Sequence, residues 1–266
     1  MSAESPLTRA ADPVLPSERR TAARARMLVC LRGVTKRYRT AEIETTALAG
    51  IDLEIAAGAF IAVMGPSGCG KSTLLNIVGL IDSPSSGECH FGQHEVSRFP
   101  ESKLAELRKG NIGFIFQSFN LIADLNVWRN VELPLVYQGV PRARRRDLVL
   151  EALDRVGLGA RAKHMPDQLS GGQQQRVAFA RAVVGNPRLI LADEPTGNLD
   201  TKSGETIMWM LKALNEQGTT ILMVTHSASH AARAHCVLSL SDGRIVATRR
   251  PSAQGHASGH AGALVG

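Results

Sequence analysis

Five short, almost wholly apolar runs, at 60–64 (FIAVM), 112–116 (IGFIF), 188–192 (RLILA), 220–224 (TILMV) and 236–240, limit what this chain can fold into. A strand with one wet face alternates apolar and polar residues, whereas a strand apolar throughout is covered on both faces. Helix-compatible stretches lie between and around these runs, at 71–80, 126–137, 142–156, 172–185, 202–216 and 228–233. The pattern predicts an α/β fold with a mainly parallel sheet between helical layers. Earlier, VCLRGVTKRY and TALAGIDLEIA alternate in the manner of antiparallel strands, and Ser241-Asp242-Gly243-Arg244 marks a hairpin turn. From about 118 to 168 the sequence is helix-compatible without a strand, which predicts an inserted α-helical subdomain.

The chain of 266 residues suffices for one sizeable core with a subdomain. Its first 26 and last 17 residues (1–26 and 250–266) lack apolar periodicity and read as an arm and a tail flanking a domain at 27–249. No apolar run approaches the roughly 20 residues of a bilayer span, and the N-terminus lacks the apolar block of a secretion signal. A cytoplasmic location is the expectation. The cysteines Cys30, Cys69, Cys89 and Cys236 show no framework spacing and are read as reduced thiols. A net charge of +7 suits an anionic partner, but an aromatic content of 4% is low for stacking single-stranded bases. No specific nucleic acid is expected.

The apolar run 60–64 leads into Gly65-Pro66-Ser67-Gly68-Cys69-Gly70-Lys71-Ser72-Thr73 and then an apolar helix. This is the G-x-x-x-x-G-K-S pattern in the strand–loop–helix setting it requires. Its glycines let backbone N–H groups turn toward phosphate oxygens, and the helix start adds positive potential. Lys71 is expected at the β- and γ-phosphates and Ser72 on Mg²⁺. The alternative is a glycine turn bearing a surface lysine. Against it stands the run Leu189–Ala192, which ends in Asp193 and Glu194. Carboxylates ending a buried strand are costly without a cation. Mg²⁺ on Asp193 supplies one, and Glu194 then emerges where a base can polarise an attacking water.

Leu169-Ser170-Gly171-Gly172-Gln173 opens a further helix and makes a second anion site. It resembles the signature motif of the ATP-binding cassette ATPases, with the same placement after a helical insert and before the carboxylate strand. The resemblance runs from about 28 to 248 and implies a P-loop ATPase core. It further implies a homodimer, formed on ATP binding, in which Ser170 to Gln173 of one copy cap the ATP of the other. By the same resemblance Gln117 contacts Mg²⁺ and the attacking water, and His226 senses the γ-phosphate. Asp200, in Gly197-Asn198-Leu199-Asp200, crosses the dimer interface, and Tyr38 stacks on adenine. Ser227 departs from the Asp that many relatives carry.

GFIFQSFNLIADLNVWRNVELPL and ADEPTGNLD look most like the branch of macrolide-exporter, lipoprotein-release and cell-division ATPases. That likeness implies ATP-driven work on a separate integral-membrane permease and indirect association with the cytoplasmic face of the cell membrane. Phe119 to Leu125 is the segment expected to line a groove for a permease helix. The competing function is a soluble, non-transport ATPase such as the iron–sulfur assembly type.

Overall fold

A computed structural model describes residues 27–39 and 44–251. The expected arm at 1–26 and nearly all of the expected tail lie outside them. Two long strands, β1 (Met27–Arg39) and β2 (Glu44–Ala56), precede β3 (Phe60–Met64) and helix α1 (Lys71–Val78). Strands β4 (Ser86–Phe91) and β5 (His94–Glu95), helix α2 (Glu101–Arg108) and strand β6 (Ile112–Phe116) follow. Helices α3 (Val127–Tyr137), α4 (Arg142–Arg155) and α5 (Gly171–Val183) run without an intervening strand to β7 (Leu189–Asp193). The remaining elements are α6 (Thr201–Glu216), β8 (Thr220–Val224), α7 (Ala228–Ala231), β9 (Cys236–Ser241) and β10 (Arg244–Arg249).

The main sheet has the order β10-β9-β3-β8-β7-β6. All its pairings are parallel except the β9–β10 hairpin. Period-two geometry sends successive side chains to opposite faces. Phe60 and Ala62 of β3 therefore enter one core, and Ile61 and Val63 the other. Ile190/Leu191 of β7 and Ile221/Leu222 of β8 divide in the same way. This two-sided burial is the reason the strands read as unbroken apolar runs. One face is covered by α1 and by an antiparallel sheet of order β2-β1-β4-β5. Helices α3 to α6 cover the other.

Val127, Val131 and Leu135 of α3 and Val149 and Leu153 of α4 share a core with Ile115 of β6. The helical insert is thus packed continuously onto the sheet. Its lead-in is pinned by the fully buried Asn130, whose amide accepts from the Ile122 N–H at 2.8 Å and donates to the Leu125 carbonyl at 2.7 Å. Leu121 consequently packs against the core while Ile122 is exposed. Only part of the 119–125 segment therefore faces outward. Strand β7 runs one residue later than its sequence pattern, because Asp193 still pairs with both Phe116 and Val224.

Candidate functional site

The parallel strands end on a common line. Val63 of β3 pairs with Val224 of β8, Val224 with Asp193 of β7, and Asp193 with Phe116 of β6. Just past this row come the Gly65 loop, Thr225-His226, Glu194 and Gln117. Crevices beyond the carboxyl ends of such strands are where open α/β sheets take ligands.

The loop from Gly65 delivers α1. Gly70, its N-cap, has φ 104°, and a Cβ there would collide with the Ala47 carbonyl of β2. No side chain caps α1 and its first turn holds no acidic residue, so its N–H groups and partial positive charge remain for an anion. Lys71 is 7% exposed, and its ammonium donates to the Gly65 and Pro66 carbonyls at 3.0 and 2.8 Å. Cys69 is buried, with Sγ 4.0 Å from that ammonium. Pro66, Ser67, Gly68 and Ser72 are exposed, and Thr73 is half-buried. Beside the loop, Tyr38 pairs with Thr45, only two residues from Ala47. Its exposed ring is steadied by a hydroxyl donating to Asp82 at 3.0 Å.

Opposite, the Ser72 hydroxyl donates to Asp193 at 3.4 Å. Burial, and then the neighbouring Glu194 charge, push the Asp193 carboxyl above its ordinary range. A hard dication answers that arrangement, since hydroxyl and carboxylate oxygens are the donors Mg²⁺ takes. The residues present fit Mg²⁺. Glu194 follows in a left-handed conformation, φ 47°, with its N–H donating to the Val224 carbonyl at 3.0 Å. Its carboxylate lies 2.7 Å from His226 Nε2. Gln117 is turned toward the 197–200 loop, its amide donating to Asn198 Oδ1 at 3.1 Å while Asn198 donates back to the Gln117 carbonyl at 3.2 Å.

The second helix start differs in kind from the first. Ser170 caps α5 by accepting from the Gln173 N–H at 3.4 Å, and Gln173 Oε1 accepts the Ser170 N–H at 3.0 Å. Gly171 has ordinary clearance, but a Cβ on Gly172 would stand 2.5 Å from Ser203 Oγ. Asp200, the N-cap of α6, holds that same Ser203 through its N–H at 2.9 Å and hydroxyl at 2.7 Å. Two expected residues, Gly172 and Asp200, thus meet through one that the motifs do not name.

Other side chains escaped the motif reading. Arg181 of α5 donates to the carbonyls of Phe119 and Asn120, both in left-handed conformation. Gln175 is fully buried and bonds the carbonyls of Phe116 and Pro195. It shares its helix face with the buried Ala178, Phe179 and Ala182 at i+3, i+4 and i+7. A glutamine on an apolar stripe was a readable signal.

A groove of about 810 Å³ opens between α2, β6 and α3 beside the Gln117 loop, lined in part by Phe114, Phe116, Ile122, Leu133, Pro134 and Tyr137. Among the described residues no helix is long and apolar enough to cross a membrane.

Comparison with known proteins accords with this geometry. The ABC transporter family profile matches residues 48–197, and the chain belongs to that family. It is 50% identical over 226 residues to the macrolide export ATP-binding/permease protein MacB 1/2 of Paracoccus denitrificans, covering 85% of this chain and 34% of that protein. It is 48% identical over 217 residues to an uncharacterized ABC transporter ATP-binding protein of Thermotoga maritima, covering 82% of this chain and 93% of that one. The chain therefore spans about a third of the macrolide-export relative and nearly the whole of the other. Among solved structures it resembles the ATP-binding cassette MJ0796, a dimer in a post-hydrolysis state bound to ADP and Pi. That match has a TM-score of 0.79 and 44% identity, and covers 84% of this chain and 99% of that one.

Proposed function

We propose that this chain is an ATP-hydrolysing, nucleotide-binding subunit that pairs with a second copy of itself and drives a membrane permease. The reading rests on the row Val63–Val224–Asp193–Phe116, which gathers the Gly65–Lys71 loop, His226, Glu194 and Gln117 at one sheet edge. The loop N–H groups and the start of α1 bind the phosphates, with Lys71 exchanging its carbonyl partners for the β- and γ-phosphate oxygens. Ser72 and Asp193, with Gln117, are the residues that would hold Mg²⁺, which when bound neutralises phosphate charge. Glu194 orients and deprotonates the attacking water. His226 holds the Glu194 carboxylate in place and meets the γ-phosphate. Tyr38 stacks on adenine.

Ser170 to Gln173 and Asp200 serve the nucleotide of the opposite copy, in keeping with the dimeric cassette this chain resembles. Because α5 is already capped by Ser170, the backbone of Gly171 and Gly172 carries much of that contact. The apolar groove beside the Gln117 loop favours a permease helix over a non-transport role. Residues 118–168 act as the subdomain between them, with export or lipoprotein release as the work done, at the cytoplasmic face of the cell membrane.

The test combines two measurements on the full chain. Purified protein should release phosphate from ATP only with Mg²⁺. Tagged protein extracted from membranes in mild detergent should bring down a permease, and Ile122→Glu should lose it while still binding ATP. Absent phosphate release would sink the enzymatic reading. Retained permease with Ile122→Glu would move the docking surface elsewhere.

A further inference from the structure

Gln175 lies 0% exposed beneath the strand ends, and no motif assigns it a task. Its Nε2 donates to the Pro195 carbonyl at 2.6 Å and to the Phe116 carbonyl at 3.2 Å. Both neighbours are acceptors, so only the NH₂ side of the amide can face them. Oε1 is left buried without a partner among the described residues. An orphaned acceptor is unfavourable, and an apolar side chain of the same length would avoid it. The two donated bonds are what such a side chain could not supply.

Their positions matter more than their number. Phe116 precedes Gln117, and Pro195 follows Glu194. Glu194 holds a left-handed backbone, φ 47°, which persists in a non-glycine residue only where its surroundings over-determine it. On one side its N–H is fixed to the Val224 carbonyl at 3.0 Å. On the other, its own carbonyl accepts from the Gly197 N–H at 3.0 Å, and the carbonyl after that, of Pro195, is held by Gln175. From beneath, a single amide therefore ties the stems of Gln117 and Glu194 to one another just beyond the Phe116–Asp193 pairing, and braces the turn that follows the strained residue.

We infer that Gln175 is a positioning residue for hydrolysis, holding Glu194 and Gln117 in working register from within α5 through the carbonyls of Pro195 and Phe116. The inference rests on the ATPase reading above. It predicts a defect in turnover without a matching defect in nucleotide affinity, because among the described residues Gln175 makes no hydrogen bond to the Gly65 loop or to α1.

The experiment compares wild type, Gln175→Met and Gln175→Glu, each at full length. Met keeps length and burial without the donors, and Glu keeps the shape while turning acceptors toward both carbonyls. Backbone hydrogen–deuterium exchange should rise at 117–120 and 196–198 in both variants, with the Lys71–Val78 helix unchanged. kcat should fall about 10- to 100-fold, the scale of small misplacements at reacting groups, while KM for ATP stays within about threefold. Unaltered exchange in those segments, or kcat within about twofold of wild type in both variants, overturns the inference. A uniform rise in exchange with a lowered melting temperature also overturns it, since Gln175 would then be packing alone. Wild-type phosphate release separately tests the parent reading, and the exchange comparison stands without it.

Discussion

Glu194 Oε1 and His226 Nε2, from the ends of neighbouring strands, lie 2.7 Å apart. The pair fixes the direction of the carboxylate proposed to activate water, and the carboxylate in turn steadies an otherwise half-exposed imidazole. Glu194→Gln retains shape and a hydrogen bond to His226 but loses the basic oxygen. Steady-state hydrolysis should drop by about two orders of magnitude or more, while ATP binding survives. Size-exclusion chromatography with ATP should then show a trapped dimer. Turnover near that of wild type would remove Glu194 from the base role.

Lys71→Ala acts earlier. The ammonium holds the Gly65 and Pro66 carbonyls and is the loop's only cationic side chain. Its loss should both loosen the loop and remove the phosphate partner. Titration with a fluorescent ATP analogue should show affinity weakened at least tenfold, about 1.4 kcal/mol. Unchanged affinity would contradict a phosphate cradle.

The contact between Gly172 and Ser203 can be tested as a pair. A methyl on Gly172 meets Ser203 Oγ at 2.5 Å and Cβ at 2.9 Å. Gly172→Ala should destabilise the chain by about 1–3 kcal/mol, the usual scale of overpacking. Ser203→Gly, made alongside it, should recover much of that loss despite sacrificing the bonds to Asp200. Chemical denaturation of the four-member cycle measures the coupling. Additive effects would mean that α5 and α6 do not meet there.

Asp82 provides the pH-dependent case. Burial works to raise its carboxyl pKa, but the hydrogen bonds from Lys36 and Tyr38 and the Lys36 charge together hold it below the ordinary value. A carboxyl lowered on folding stabilises the protein above its unfolded pKa, and that contribution is lost as pH falls through the folded one. Asp82→Asn should therefore melt below wild type at neutral pH, with the gap closing on acidification below the ordinary carboxylate range. KM for ATP should rise modestly as Tyr38 loosens. A gap that is constant with pH would assign the effect to packing alone.

Much of the framework was legible because two-sided burial leaves so plain a trace: β3, β6, β8 and β9 stand where their apolar runs lie. Nothing in residues 86–108 announces β4, β5 or α2 as clearly. Strand β4 (SGECHF) buries only Cys89 and Phe91, and α2 only Leu104, too few positions to set a period. The candidate site residues stand out in the sequence as motifs, but the side chains that hold them do not. Ser203, Asn198, Arg181 and Gln175 act through positions brought together by the fold, across separations of 20 to 81 residues in three of these cases. Gln117 shows the limit of a motif, which names the residue but not that its amide engages Asn198.

Strands β3, β6, β7 and β8 are each five residues long. That shared length makes the sheet a gauge. Deleting one residue from any of these strands would draw its terminal group back by roughly 3.3 Å and invert the face it presents, so that Glu194 would take the place of Asp193 in β7. Connections that carry no site residue are under no such restriction, and the segment between β6 and β7 already runs through three helices. Length can be gained or lost in loops and helices away from the site, but the strands beneath it, like the Gly65 loop, must keep count.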